Sequence, residues 1–198
     1  MAKFPVGREG DRVDAGHVAD DLASVLLSEE TILARVGELA REIGKDYAGR
    51  DLVLIGVLGG AATFTVDLAR ALETPVEIGW MAMRSYTTSK RSSGSVRLLK
   101  DLDLDIEGRD VIIVEAVVDT GLTASWLINN LTIRRPASLA VCALLRKPEG
   151  AAFDVPAYTG FDVPTGLIVG YGLDYRGRYR NLRCAAILAD NVVRDHGR

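Results

Sequence analysis

The chain has 198 residues, 48% of them hydrophobic and 26% charged, and a formal net charge of −3. This length and balance fit one domain with a sizeable core and exclude a disordered chain. The negative balance argues against a duplex-binding surface, and the apolar runs are too short to span a bilayer, so neither a nucleic-acid nor a membrane partner is expected.

Met1-Ala2-Lys3-Phe4-Pro5 leads into a polar stretch, so no secretory signal is expected. Cys142 and Cys184 are the only cysteines, lack metal-ligand spacing and suit a reduced, cytoplasmic setting. His17 and His196 sit near the two ends, which leaves no histidine-based catalysis or zinc site to expect.

In chain order, residues 1–20 are polar and read as a loosely held arm of a single domain spanning 1–198. Ser28 caps a helix over Thr31 to Ile43, whose Ile32, Val36, Leu39 and Ile43 share one face. Leu52 to Leu58 is a buried strand, closed by Gly59-Gly60-Ala61-Ala62, with a helix from Phe64 to Leu72. A strand, a small-residue turn and a helix either bring backbone close to an anion or make only a tight turn. The Gly-Lys-Ser/Thr ending of a Walker loop is absent. Val76 to Met83 is a second strand ending at Arg84-Ser85-Tyr86, and Val96 to Leu99 resumes as a strand, so the polar stretch 87–95 caps a long hairpin. That stretch is either a surface loop or a mobile lid.

Val111 to Val118 begins as an apolar, β-branched run, the composition of a strand buried on both faces, and it continues through Glu115 and Asp119 into Thr120-Gly121-Leu122-Thr123 and a helix over 124–131. A buried strand opening through small hydroxyl residues into a helix is a phosphate cradle, because free backbone N–H groups and the helix dipole favour anions there. Strands follow at Ser138 to Leu145, Tyr158 to Phe161, Leu167 to Tyr171 and Cys184 to Leu188, with a charged, aromatic loop over 174–180. Alternating strands and helices predict an α/β domain with a mostly parallel central sheet flanked by helices, its ligand at the carboxyl ends of the strands.

Glu115-Ala116-Val117-Val118-Asp119-Thr120-Gly121-Leu122-Thr123 resembles the phosphoribosyl-diphosphate (PRPP) motif of type I phosphoribosyltransferases. Ser85-Tyr86 before a polar loop, Leu145-Arg146-Lys147-Pro148, and Val169 to Tyr175 with Arg180 just after extend the likeness from roughly residue 26 to the end. In order and spacing they are similar to the hypoxanthine(-guanine) phosphoribosyltransferases. The resemblance implies the type I fold with a small hood, and Mg²⁺-dependent transfer of the phosphoribosyl group from PRPP to a 6-oxopurine in purine salvage.

It also implies roles. Asp119 would be the general acid/base at purine N7, and Asp119, Thr120, Gly121, Leu122 and Thr123 the 5′-phosphate loop. Glu115 would face the ribose hydroxyls, with Gly59, Gly60 and Arg180 towards pyrophosphate. Ser85 and Tyr86 would belong to the lid over PRPP. Lys147 would donate to the 6-oxo group, Leu167 would stack on the base, Ile168 would offer backbone contacts, and Asp174 would sit beside the base and hold Mg²⁺. A homodimer or homotetramer is expected.

Three positions depart from the family pattern. Ala116 stands where a second acid is usual, Gly59 where a lysine is usual, and Leu167 where an aromatic is usual. They leave two readings open: a working enzyme whose base or kinetics has drifted towards a modified purine such as a deazapurine, or a catalytically weak paralogue that binds nucleotide or PRPP as a regulator.

Overall fold

A computed structural model of the chain describes residues 9–86, 95–148 and 157–194. Its larger sheet has six strands: β2 (Leu52–Leu58), β3 (Glu77–Tyr86), β4 (Ser95–Lys100), β5 (Asp110–Val118), β6 (Ser138–Arg146) and β7 (Tyr158–Asp162). Their order across the sheet is β4-β3-β2-β5-β6-β7. All neighbours are parallel except β3 and β4, which form the antiparallel hairpin expected around the polar stretch. The tip of that hairpin, 87–94, lies outside the described residues.

Alternation along β5 sorts the core into two layers. Ile112 and Val114 pack with Phe64 and Leu68 of α2 (Ala62–Ala71) and with α1 (Glu29–Asp46). Val111 and Ile113 pack on the other side with Ala124, Leu127 and Leu131 of α3 (Leu122–Thr132). Helices on both faces explain why β5 reads as an unbroken apolar run. α1 begins where expected, with the Ser28 hydroxyl accepting from the Thr31 N–H at 3.2 Å. Its Ile32, Val36, Leu39 and Ile43 are all buried, each worth roughly 2 kcal/mol of hydrophobic stabilisation.

A second, antiparallel sheet of three strands, β1 (Leu22–Leu27), β9 (Ala185–Leu188) and β8 (Ile168–Val169), forms the hood. β1 was not anticipated from the sequence, where Leu26-Leu27 reads as the approach to a helix. The expected strand over 167–171 shortens to two residues because the chain turns at Gly170, Tyr171 and Gly172, all with positive φ. The end of the expected arm is helical, with 3-10 geometry over Glu9–Asp21 broken by a kink at Val18, and Ala15 is buried against Leu182, Cys184 and Ala186. The Tyr179 hydroxyl donates to Asp21 at 2.9 Å and ties that segment to the hood. A short helix, α4 (Asp190–Arg194), follows β9.

Candidate active site

The sheet order locates the site. From β2 the chain passes through α2 to β3 on one side, and from β5 through α3 to β6 on the other. The connections therefore diverge between β2 and β5, which opens a crevice at their carboxyl ends. The two loops that enter it are Gly59-Gly60-Ala61 and Asp119-Thr120-Gly121.

Both loops lead into helices that carry no side-chain cap: Ala61 precedes α2 and Gly121 precedes α3, whereas Ser28 caps α1. Gly121 has φ +78°, a left-handed conformation that glycine adopts without Cβ strain. It turns the chain sharply, so that the first N–H groups of α3 face outward with the positive end of the helix dipole. The Thr120 hydroxyl lies 3.4 Å from the Leu122 N–H and accepts from it weakly. Thr120 and Leu122 are exposed and Thr123 is half-buried. Exposed hydroxyls over an uncapped helix start can take a phosphate.

Asp119 and Lys147 meet across the crevice. They leave the ends of the paired strands β5 and β6, and the Lys147 N–H donates to the Val118 carbonyl at 2.9 Å. Lys147 Nζ donates to Asp119 Oδ2 and to the Gly166 carbonyl, both at 3.0 Å. The lysine side chain is 14% exposed and the aspartate 55% exposed, so the pair presents its carboxylate to solvent. Leu167 is exposed beside Gly166, while Ile168 is buried and paired with Ile187.

Glu115 lies deeper, 8% exposed, and its Oε1 has no hydrogen-bond partner. Burial pushes its carboxyl up to about 8, because no cation offsets the lost hydration. Ala116 is buried too, and a Cβ at Gly60 would lie 3.5 Å from the Ala116 Cβ. The absent acid at 116 thus borders the Gly59-Gly60 loop through Gly60.

The third wall is the turn 170–180. Arg180 pairs with Asp174 at 2.6 Å and donates to the Gly172 carbonyl at 2.6 Å. Asp174 also accepts from the Gly177 N–H at 2.7 Å. A Cβ at Gly59 would lie 3.4 Å from the Arg180 guanidinium carbon, so this cation rests over the loop that lacks a lysine. For Mg²⁺, Asp174 offers one carboxylate, and no cluster of three or more metal-ligating side chains occurs among the described residues. That fits an ion held by a carboxylate or two together with substrate phosphates, as Mg²⁺ usually is.

The structure thus brings together Glu115, Asp119 to Thr123, Gly59, Gly60, Lys147, Leu167, Ile168, Asp174 and Arg180 around one crevice. Ser85 and Tyr86 end β3, where their backbones pair with Val96 and Ser95. Two participants were missed from sequence: the Gly166 carbonyl that anchors Lys147, and the buried Tyr171 whose hydroxyl donates to Asp67 on α2 at 2.6 Å. Gly170-Tyr171-Gly172 was quoted only as part of a motif, although glycines flanking a tyrosine signal a tight turn.

Comparisons with known proteins agree with this geometry. Residues 23–176 match the phosphoribosyl transferase domain family. The hypoxanthine-guanine phosphoribosyltransferase of Mycobacterium avium is 58% identical over 180 residues, covering 87% of this chain and 88% of that one. The crystal structure of a hypoxanthine phosphoribosyltransferase from Staphylococcus aureus has a TM-score of 0.84 at 39% identity, covering 90% of this chain and 96% of the other. The hypoxanthine phosphoribosyl transferase of Trypanosoma cruzi, whose C-terminal region was studied for its role in oligomeric state and enzymatic activity, matches with a TM-score of 0.83 at 39% identity, covering 89% and 96%. With its crevice at the switch point, its uncapped helix start and these relatives, the chain belongs to the phosphoribosyltransferase family.

Proposed function

We propose that this protein transfers the 5-phosphoribosyl group of PRPP to N9 of a 6-oxopurine, hypoxanthine or guanine, releasing pyrophosphate in purine salvage. The observation that carries this reading is the Lys147–Asp119 pair, 3.0 Å between Nζ and Oδ2. The N7–H tautomer of a 6-oxopurine presents O6 as an acceptor beside N7–H as a donor, and an ammonium beside a carboxylate matches them: Lys147 donates to O6 and Asp119 accepts from N7–H. Adenine offers an amino donor where O6 stands, which Lys147 repels.

In the forward reaction N9 bonds to C1′ as the C1′–O bond to pyrophosphate breaks, and Asp119 accepts the proton that N7 gives up. The loop Asp119 to Thr123 holds the 5′-phosphate through backbone N–H groups and the hydroxyls of Thr120 and Thr123. Glu115 receives the ribose hydroxyls, which would partner its orphaned oxygen. Asp174 would hold a Mg²⁺ ion, which when bound neutralises charge on the leaving pyrophosphate. Arg180 turns from Asp174 to that anion over Gly59 and Gly60, and Leu167 covers the base while the Ile168 backbone meets its edge. Ser85 and Tyr86, at the end of β3, contribute to PRPP binding.

The same reading makes the protein a cytoplasmic homodimer or homotetramer. Two free, buried cysteines suit a reducing compartment. No helix among the described residues is long and apolar enough to cross a membrane. The oligomer is read by light scattering.

Pyrophosphate release with PRPP, Mg²⁺ and a panel of hypoxanthine, guanine, xanthine, adenine and a deazapurine tests the activity. Turnover with 6-oxopurines well above adenine is expected. No turnover with any base, alongside measurable nucleotide binding, would replace the enzyme by a nucleotide-binding regulator.

A further inference from the structure

The geometry points to Tyr171 and Asp67 as positioning residues: their hydrogen bond fixes the loop carrying Asp174 and Arg180 against the Gly59-Gly60 loop, and so sets PRPP and pyrophosphate affinity far more than affinity for the base. This rests on the reading of Asp174 and Arg180 given above.

Tyr171 is the residue around which that loop turns. Its φ is +47°, a left-handed conformation unfavourable for a side chain of this size, which persists only where surroundings enforce it. The enforcement is visible on the backbone. Its N–H donates to the Leu182 carbonyl at 2.8 Å, and the Gly172 N–H donates to the Arg180 carbonyl at 3.0 Å. The side chain, only 5% exposed, ends on Asp67 Oδ2 at 2.6 Å. Burial and the carboxylate push the Tyr171 hydroxyl well above its ordinary range, so it stays a donor at any working pH. Asp67 keeps one further contact, Arg70 Nη1 at 3.8 Å.

Asp67 stands on α2, directly after Gly59-Gly60-Ala61. The bond therefore joins the helix that begins at one ligand loop to the turn that carries the other. Next to Tyr171, the loops meet without any side chain between them: a Cβ at Gly172 would overlap the Gly60 carbonyl oxygen. Arg180 is anchored to the Gly172 carbonyl at 2.6 Å and lies over Gly59. A shift of Tyr171 thus moves the guanidinium and the Asp174 carboxylate together.

The base side is held by different bonds. Ile168 and Val169 pair with Ile187 and Ala186, and the Leu188 N–H donates to the Leu167 carbonyl at 2.9 Å. Lys147 is anchored by Asp119 and Gly166. None of these contacts involves Tyr171 or Asp67. A merely structural bond would weaken both substrates alike; this one is expected to separate them.

The test compares Tyr171→Phe, Asp67→Ala and Asp67→Asn in the full chain, by steady-state kinetics, by calorimetry of Mg²⁺-pyrophosphate binding and by thermal melting. Tyr171→Phe and Asp67→Ala should raise KM for PRPP about tenfold, as loss of one hydrogen bond to a charged partner does, and weaken pyrophosphate binding by the same factor. KM for the base should stay within about twofold. Asp67→Asn retains an acceptor for the hydroxyl and should behave close to the parent. If Tyr171→Phe fails to fold, the Asp67 pair carries the comparison, because that side chain is partly exposed. Unchanged PRPP and pyrophosphate affinities, or equal rises in both KM values, overturn the proposal. A parent protein that turns over no base, yet binds pyrophosphate more tightly than the two variants, overturns the proposed activity and leaves the positioning role standing.

Discussion

Glu115→Gln replaces the one buried carboxylate of the crevice by a neutral side chain of the same shape. Glu115 has an ordinary value of 4.5, raised to about 8 in the folded protein by burial alone. Below pH 4.5 the carboxyl is neutral in both states and folding loses nothing through it. As pH rises from 4.5 to 8 the unfolded chain ionises while the folded one does not, so stability falls by about 1.4 kcal/mol per pH unit. At pH 7 the accumulated cost is about 3 kcal/mol, and above pH 8 it levels near 5 kcal/mol. Glutamine never ionises, so the variant escapes this cost. In a chain of this size the gain corresponds to a melting temperature roughly 6–12 °C higher at pH 7. Thermal melts of both proteins at pH 4.5, 6, 7 and 8 check it: the gap should be near zero at pH 4.5 and widen steadily. A constant gap, or a variant less stable at pH 8, would refute the account of Glu115 as an uncompensated buried acid. Activity assayed above pH 8, where Glu115 ionises, should move the other way, with kcat/KM for PRPP falling about tenfold, since a charged acceptor for the ribose hydroxyls is lost.

Asp119→Asn should lower kcat by about 10²- to 10⁴-fold, the range of a positioned proton acceptor, while circular dichroism and the melting temperature stay near the parent's because the side chain is largely exposed. Lys147→Gln removes the ammonium from both Asp119 and the Gly166 carbonyl. KM for hypoxanthine should rise at least about tenfold, and the preference over adenine should shrink in the same assay; retained discrimination would mean another group reads O6. Leu167→Phe offers a flat ring at an exposed position beside the base, and should lower KM for the base by roughly three- to tenfold, with KM for PRPP unmoved.

The large sheet and its phosphate loop were legible because their physics is local. A β-branched run such as Val111 to Val118 can only be a strand buried on both faces, and the Asp119-Thr120-Gly121 turn follows it directly in the chain. The four apolar positions of α1 and its Ser28 cap lie within one stretch for the same reason. The hood was only partly legible: strands were expected where β8 and β9 lie, but β1 was not. β1 pairs with β9, more than 150 residues later, and has two register irregularities, so no clean alternation marks it. The site divided similarly. Asp119 and Lys147 stand at the ends of neighbouring strands and were both expected, but their ion pair needs the register Val118↔Arg146, which only the folded sheet supplies. Tyr171 was quoted only inside a motif, and its partner Asp67 sits on a helix 104 residues earlier, where nothing in the sequence singles it out.

The hood draws its strands from the two ends of the chain, whereas the strands that carry the phosphate loop and its neighbours come from the middle. Contacts between distant segments are slow to form, because the loop between them must close first. Refolding should therefore raise the phosphate cradle before the wall that chooses the base. The separation also bears on how such a protein diversifies. With the roles proposed above, changes near residues 167 and 168 would alter which base is accepted and leave the PRPP side in place, so one half of the reaction could be retuned while the other is inherited intact.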